Sequence, residues 1–435
     1  MQLYSETGDF KLYHGSMLNM LEDIAPCSID SVVTDPPYEL GFMGKRWDSS
    51  GIAFQADTWR KCYQVLKHGG YLLAFGGTRT FHRIACAIED AGFEIRDTIM
   101  WLYGSGFPKS MNIGKAVEAK CLTGSANTQE FKNLQGTKAL ANNLGFAKQR
   151  FYQGARPNDY TIDGHCRTVE VDYQTAEGKK WDGWGTALKP AYEPIIVARK
   201  PCEGSCVDNV MRYGVGGINI DGCRIGDDVI TTCGGDKFPN LYGNFNTAEK
   251  STHNGRYPSN VILTYDDSDV DEVCGNMPET AEDSAARYFY CAKASKRDRD
   301  EGLDSFVEQK TTDGSLRCNE DTARMYGANS SLHRNFHPTV KPVDLMQYLV
   351  RLVTPPCGTI LDPFNGSGST GKAAMYENKD RNAGYKYIGI ELTAEYLPIA
   401  DARIRYAAGD NRPIEPKDMP AEGQITFFDL LGGET

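Results

Sequence analysis

Along both ends of the chain, short apolar runs closed by glycine, proline or an acid alternate with stretches whose apolar residues recur every three to four positions. In Ser31-Val32-Val33-Thr34-Asp35-Pro36-Pro37-Tyr38, Val32 and Val33 read as a buried strand. The two prolines forbid its continuation and an immediate helix, so the strand stops at Asp35. Upstream, Met17, Leu18, Leu21 and Ile24 recur at helical spacing after Gly15 and Ser16. Downstream, Trp59, Cys62, Tyr63 and Leu66 predict a helix over 58–66, ended by His68-Gly69-Gly70. Tyr71 to Phe75 then predicts a buried strand, Arg79 to Ala91 a helix and Glu94 to Tyr103 another strand. That succession is the mark of a parallel, doubly wound α/β sheet.

The periodicity breaks in the middle of the chain. From Gly104 to about Trp184 the sequence is rich in Gly, Asn, Gln, Lys and Thr, and only Pro194 to Ala198 interrupts it as a strand. Polar, glycine-rich sequence resumes to about Ser331, with short apolar runs such as Asn260 to Leu263. The winding returns with a helix over 343–353, a strand from Thr359, a helix over about 370–376 and a strand over 387–390. The expected organisation is a first half of the core at 1–104, an insertion at 105–185, an edge strand at 186–200, an irregular domain at 201–331, a second half of the core at 332–408 and a tail at 409–435.

Composition narrows the class. A chain of 435 residues with 40% hydrophobic content can bury a full core. No apolar run approaches the length of a bilayer span, and the N-terminus lacks the basic-then-apolar pattern of a signal peptide, so a cytoplasmic protein is expected. Thirteen cysteines without regular pairing point to reduced thiols, and the spacing of Cys202, Cys206, Cys223 and Cys233 is not that of a zinc ribbon, so no metal is expected. A net charge of −11 argues against a protein that coats nucleic acid, while leaving room for a local basic face.

Two stretches carry candidate chemistry. The stiff turn after Val33 holds the Asp35 carboxylate, a proline-flanked carbonyl and the Tyr38 ring in one small volume at a strand end, a pocket for something flat that carries donor hydrogens. In the second stretch, the strand ending at Asp362 runs through Pro363, Phe364 and Asn365 into Gly366-Ser367-Gly368-Ser369-Thr370-Gly371, whose glycines let backbone amides approach a ligand at a helix N-terminus. The following strand ends in Glu391, placed to accept a ribose hydroxyl pair of an adenosine-containing cofactor. A phosphate-binding loop would need Ser or Thr after Lys372, where Ala373 stands, and a dinucleotide dehydrogenase leaves the Asp35 turn without a purpose. Methyl transfer from S-adenosylmethionine uses both stretches.

Asp35-Pro36-Pro37-Tyr38 resembles the catalytic motif of the DNA amino-methyltransferases, and Asp362-Pro363-Phe364-Asn365-Gly366-Ser367-Gly368 resembles their S-adenosylmethionine loop. With the catalytic motif first, the order resembles the beta group of that family, and the middle is loosely similar to phage-type members. The resemblance implies a Rossmann-like doubly wound methyltransferase sheet with an inserted irregular target-recognition region, acting on double-stranded DNA. By the same resemblance Asp35, Pro36, Pro37 and Tyr38 are catalytic, and Asp362, Phe364, Gly366, Gly368 and Glu391 hold the cofactor. His337-Pro338-Thr339-Val340-Lys341-Pro342 is similar to the motif that closes over the cofactor's methionine half, which brings in Thr339 and Lys341. The family often has an acid where Ser16 stands, so Ser16 is expected to offer only a hydroxyl to the adenine ring. Lys189 to Pro201 is similar to the strand such enzymes place at the sheet edge. Whether a restriction partner exists, and in what oligomeric state the protein works, is left open.

An exocyclic amine is a poor nucleophile because its lone pair is delocalised into the ring. An acceptor pair that takes both amine hydrogens localises that lone pair and stabilises the charge that develops, which is the part expected of Asp35 and the Pro36 carbonyl. Tyr38 would stack on a base swung out of the duplex. Adenine N6 is favoured by the resemblance, cytosine N4 is served by the same geometry, and a catalytically silent nucleic-acid-binding protein remains the alternative from another class. Methylation at cytosine C5 would need an activated cysteine, and Cys202 and Cys357 have no evident activating partner.

For DNA contact the candidates are Lys45, Arg46 and Trp47 in a glycine-flanked loop, where a surface loop with one packed Trp is the competing reading, and Arg256, Arg287, Lys293, Lys296 and Arg297 in and around a run of alternating charge, where solvated surface is the competing reading for each. Gln424-Ile425-Thr426-Phe427-Phe428 resembles peptides that dock on sliding clamps of replication. The competing reading packs Phe427, Phe428 and Leu430 on the core.

Overall fold

The computed structural model describes residues 2–40, 46–103, 110–126, 149–153, 161–162, 165–169, 173–232, 251–263, 289–290, 294–310 and 332–410. The first strands are β1 (Gln2–Glu6), β2 (Phe10–His14), β3 (Ile29–Thr34), β4 (Leu66–Phe75) and β5 (Glu94–Leu102). Within the insertion, β6 (Gln149–Gln153), β7 (Thr161–Ile162) and β8 (His165–Val169) form a small antiparallel sheet. There follow β9 (Tyr192–Arg199), the antiparallel pair β10 (Ile225–Thr232) and β11 (Ser251–Arg256), then β12 (Val261–Leu263) and β13 (Phe289–Tyr290). The pair β14 (Gln309–Lys310) and β15 (Leu332–His333) precedes β16 (Thr359–Asp362) and β17 (Lys386–Glu391).

Ten of these strands make one sheet in the order β1-β2-β17-β16-β3-β4-β9-β5-β12-β13. Neighbours from β2 to β4 are parallel, as are β5, β12 and β13. From β3 the chain passes through the helix Ala56–Val65 to β4 on one side, and from β16 through the helix Ser369–Arg381 to β17 on the other. The adjacent β3 and β16 therefore flank the point where the winding reverses, and the crevice beyond their carboxyl ends is where such sheets bind ligands. Alternation sorts the two faces. Val33, Leu73 and Phe75 pack with helices Val343–Val353 and Ser369–Arg381, while Val32, Leu72 and Ala74 pack with Ala56–Val65 and Phe81–Asp90.

The structure corrects four expectations. The strand at 192–199 is not at the edge: it lies antiparallel between β4 and β5. An all-buried strand shows the same continuous apolar run in either direction, so its sequence could not reveal this. Val261 to Leu263 belongs to the main sheet beside β5 instead of to a separate domain. The first helix of the winding stops at Val65, and β4 begins at Leu66. Gly69 serves close approach instead of ending that helix, since with φ at +78° an added Cβ would stand 2.2 Å from the Asn209 amide nitrogen, which donates to the His68 carbonyl. Finally, the helix expected over 370–376 runs from Ser369 to Arg381.

Candidate active site

Because Pro36 and Pro37 cannot extend β3, the chain turns at its carboxyl end and leaves Asp35 at the mouth of the crevice. Asp35 Oδ2 accepts a hydrogen bond of 2.6 Å from Lys341 Nζ, whereas Oδ1 is buried and accepts none. The same ammonium lies 3.2 Å from the Tyr38 hydroxyl and 3.4 Å from Glu193 Oε2, and the Tyr38 hydroxyl donates to Glu193 at 3.0 Å. It also sits over the Phe75 ring at 4.8 Å. Burial raises the Asp35 carboxyl above its ordinary range, with Lys341 pulling the other way. Burial works to lower the Lys341 ammonium, but Asp35 and Glu193 outweigh it and the net direction is up. Burial, reinforced by Asp35 and Glu193, keeps the Tyr38 phenol protonated.

The second strand end is tied to the first. Asp362 Oδ1 accepts from the Thr34 hydroxyl at 2.6 Å and from the Phe364 amide at 3.1 Å, and Oδ2 accepts from the Thr370 hydroxyl at 2.7 Å. Asp362 thus fixes the entry to the glycine loop, its carboxyl pushed up to about 6 by burial. At the end of β17, Glu391 accepts from the Gly366 amide at 2.7 Å and the Thr393 amide at 2.8 Å, and burial raises it to about 7. The Glu391 carbonyl accepts from the Gly15 amide at 2.9 Å, which sets Ser16 beside it. One cavity of about 1150 Å³ joins the two halves, lined by Ser16, Asp35 to Tyr38, Glu193, Thr339, Lys341, Asp362 to Gly366 and Glu391, among others.

Most expected residues therefore meet in one place, with some in unexpected company. Lys341, expected over the cofactor, bonds Asp35 in the turn after β3. Gly368 does not line the cavity, and with φ at +77° it starts the Ser369–Arg381 helix where an added Cβ would stand 3.1 Å from Ala400 Cα, a packing position. Lys372, the residue on which a phosphate loop would depend, is buried against Glu301 at 2.9 Å, and Glu301 also takes the Tyr376 hydroxyl at 2.7 Å. Arg256 pairs with Asp228 at 3.5 Å, Lys296 with Glu308 at 3.7 Å and Arg297 with Glu301 at 3.0 Å, and none of the three lines the cavity. Lys45, Arg287, Lys293, the side chains of Arg46 and Trp47, and Gln424 to Phe428 lie outside the described residues. Sequence reasoning missed Glu193. The available signal was an acid directly before the apolar run that starts at Pro194.

The family model described as DNA methylase (N6_N4_Mtase) matches residues 29–402, spanning both strand ends and everything between them. The chain belongs to this DNA methylase family. Type II methyltransferase M2.LlaDCHI of Lactococcus lactis subsp. cremoris is 40% identical over 235 residues, covering 49% of this chain and 81% of the relative. DNA adenine methyltransferase YhdJ of Escherichia coli (strain K12) is 36% identical over 72 residues, 17% of this chain and 22% of its own length. The chain spans about a quarter of another Escherichia coli relative, 27% of its length at 48% identity. Among solved structures, the PvuII DNA methyltransferase (cytosine-N4-specific) aligns with a TM-score of 0.42 and 13% identity over 98% of this chain and 91% of that one. The M1.HpyAVI–SAM complex aligns at 0.34 and 15%, over 91% and 99%.

The cavity suits the S-adenosylmethionine expected of a DNA methylase. Gly366 has φ at +52°, and an added Cβ would come within 3.0 Å of His337 Nε2, so the loop backbone is kept bare on the side toward His337. Across the cavity waits the buried, unbonded Asp35 Oδ1. Among the described residues no helix is long and apolar enough to cross a membrane, and no group of three or more His, Cys, Asp or Glu comes together as a metal site.

Proposed function

We propose that the enzyme transfers a methyl group from S-adenosylmethionine to adenine N6 in duplex DNA, with the target base swung out of the helix. The observation that carries the reading is Asp35 Oδ1, a buried acceptor without a hydrogen-bond partner at the end of β3, immediately before the Pro36 carbonyl. A buried acceptor left unbonded costs about 1–3 kcal/mol, a cost that a ligand donor would remove. An amine with two hydrogens matches a carboxylate oxygen and a carbonyl side by side.

Glu391, the Gly366 backbone, Phe364, Thr339 and Ser16 would hold the cofactor, since all line the cavity on the β16–β17 side or at the two segments that face it. When bound, S-adenosylmethionine supplies an electrophilic methyl group on a sulfonium. The chain's own part is to accept: Asp35 Oδ1 and the Pro36 carbonyl draw the amine hydrogens out of the base plane and stabilise positive charge on nitrogen. Tyr38, its hydroxyl fixed by Glu193 and Lys341, offers a ring against which a base can stack. The large cavity shared by both halves supports in-line approach without a covalent enzyme intermediate.

Adenine is favoured over cytosine by the resemblance of Asp35-Pro36-Pro37-Tyr38 to adenine-directed motifs and by the match to an adenine methyltransferase. Labelled methyl transfer to duplex DNA followed by nucleoside analysis tests this directly. N6-methyladenine is expected. N4-methylcytosine would move the target to the other amine, and unlabelled duplex DNA would overturn the reading altogether.

A further inference from the structure

Lys341 has three N–H donors and three oxygens within reach: Asp35 Oδ2 at 2.6 Å, the Tyr38 hydroxyl at 3.2 Å and Glu193 Oε2 at 3.4 Å. Two hydrogen bonds and an ion pair thus engage the ammonium away from Asp35 Oδ1, which accepts none of its donors. Charge follows the same arithmetic. Two carboxylates face one buried ammonium, so the cluster keeps one net negative charge next to the place where a substrate amine becomes positive. Without Glu193, Lys341 would neutralise Asp35 alone and have a donor free to fork onto its second oxygen.

We propose that Glu193 is a positioning residue of the methyl-acceptor site, which holds Lys341 and Tyr38 in place and so reserves Asp35 Oδ1 for the substrate amine. The inference rests on the amine-methylation reading above. The place of Glu193 in the sheet suits this role, because it lies at the start of β9, the antiparallel strand clamped between β4 and β5, and its carboxylate also takes the Tyr103 hydroxyl. A carboxylate anchored on a central strand moves less than one on a loop, and Lys341 itself lies on an irregular segment ahead of the Val343–Val353 helix.

The test is Glu193→Ala, with the isosteric Glu193→Gln beside it in case the smaller side chain unfolds the sheet. Both are expected to lower kcat on duplex DNA by about tenfold or more while the cofactor dissociation constant stays within about twofold. A kcat within about twofold of wild type in the folded variants overturns the proposal. In a Lys341→Met background the same Glu193→Ala change should cost less, because the share of its effect that runs through the ammonium is already gone; an undiminished cost overturns it too. A crystal structure of Glu193→Ala separates this failure from failure of the underlying reading, because it needs no turnover: Lys341 Nζ is expected within hydrogen-bond distance of Asp35 Oδ1, and an ammonium that has not moved counts against the idea even if the wild type methylates adenine.

Discussion

Lys341 Nζ stands 2.6 Å from Asp35 Oδ2, a contact between residues 306 positions apart that puts a buried cation on the turn after β3. Burial raises the Asp35 carboxyl and Lys341 opposes that rise. Asp35 must be ionised to accept, so Lys341→Met is expected to let it take up a proton at higher pH. The acid limb of kcat/KM would then move upward, measured on duplex DNA between about pH 5 and 9. A limb that stays where the wild type has it would show that the ammonium does not govern Asp35.

Asp35→Ala removes the acceptor while leaving the Glu391 and Gly366 contacts on the far side of the cavity intact. Transfer should fall by about 10²–10³-fold, with cofactor affinity kept. Equilibrium binding and turnover measured on the same preparation separate the two, and retained turnover would remove Asp35 from the chemistry.

The two glycines Gly366 and Gly371 look alike in sequence and differ in what surrounds them. Gly366 lines the cavity at φ +52°, whereas a Cβ on Gly371 would meet Tyr387 at 2.5 Å and Ile404 at 2.6 Å, inside the packing of helix on sheet. Gly366→Ala is expected to weaken cofactor binding and to cost about 1–2 kcal/mol of backbone strain. Gly371→Ala should lower Tm through overpacking by about 1–3 kcal/mol, with the folded fraction binding cofactor as before. Calorimetric titration and thermal melts on both variants check the division.

What the sequence disclosed depended on local punctuation. Prolines after Val33 and glycines after Asp362 stop their strands whatever the rest of the chain does, so Asp35 and Gly366 could be placed at strand ends directly. The bond from Thr34 to Asp362 joins residues 328 apart, and no period in the chain encodes it. Lys341 shows the same limit: its motif located it near the cavity, but which carboxylate its flexible stem would reach depended on the packing of β9, whose antiparallel insertion leaves no trace in a continuous apolar run. Glu193 went unnoticed for that reason.

His337 provides a test in acid. Its imidazole is buried against Tyr396, with ring centroids 4.4 Å apart, and burial, aided by Arg403 and Lys341, pushes it down to about 3. The unfolded chain binds that proton near its ordinary value of about 6.5. Between those values the unfolded state holds more protons than the folded one, so stability is fully present above about pH 6.5 and is lost as pH falls toward 3, by at most about 1.4 kcal/mol per pH unit. Glu391 and Asp362, raised to about 7 and about 6, act with the opposite sign, since the folded state keeps their protons to higher pH than the unfolded chain does. The wild-type profile mixes the two. His337→Asn removes only the first, so as pH falls from about 6.5 to 5 its stability should rise relative to the wild type's in denaturant melts. Parallel curves would mean that the imidazole takes up its proton in the folded protein as readily as in the unfolded one.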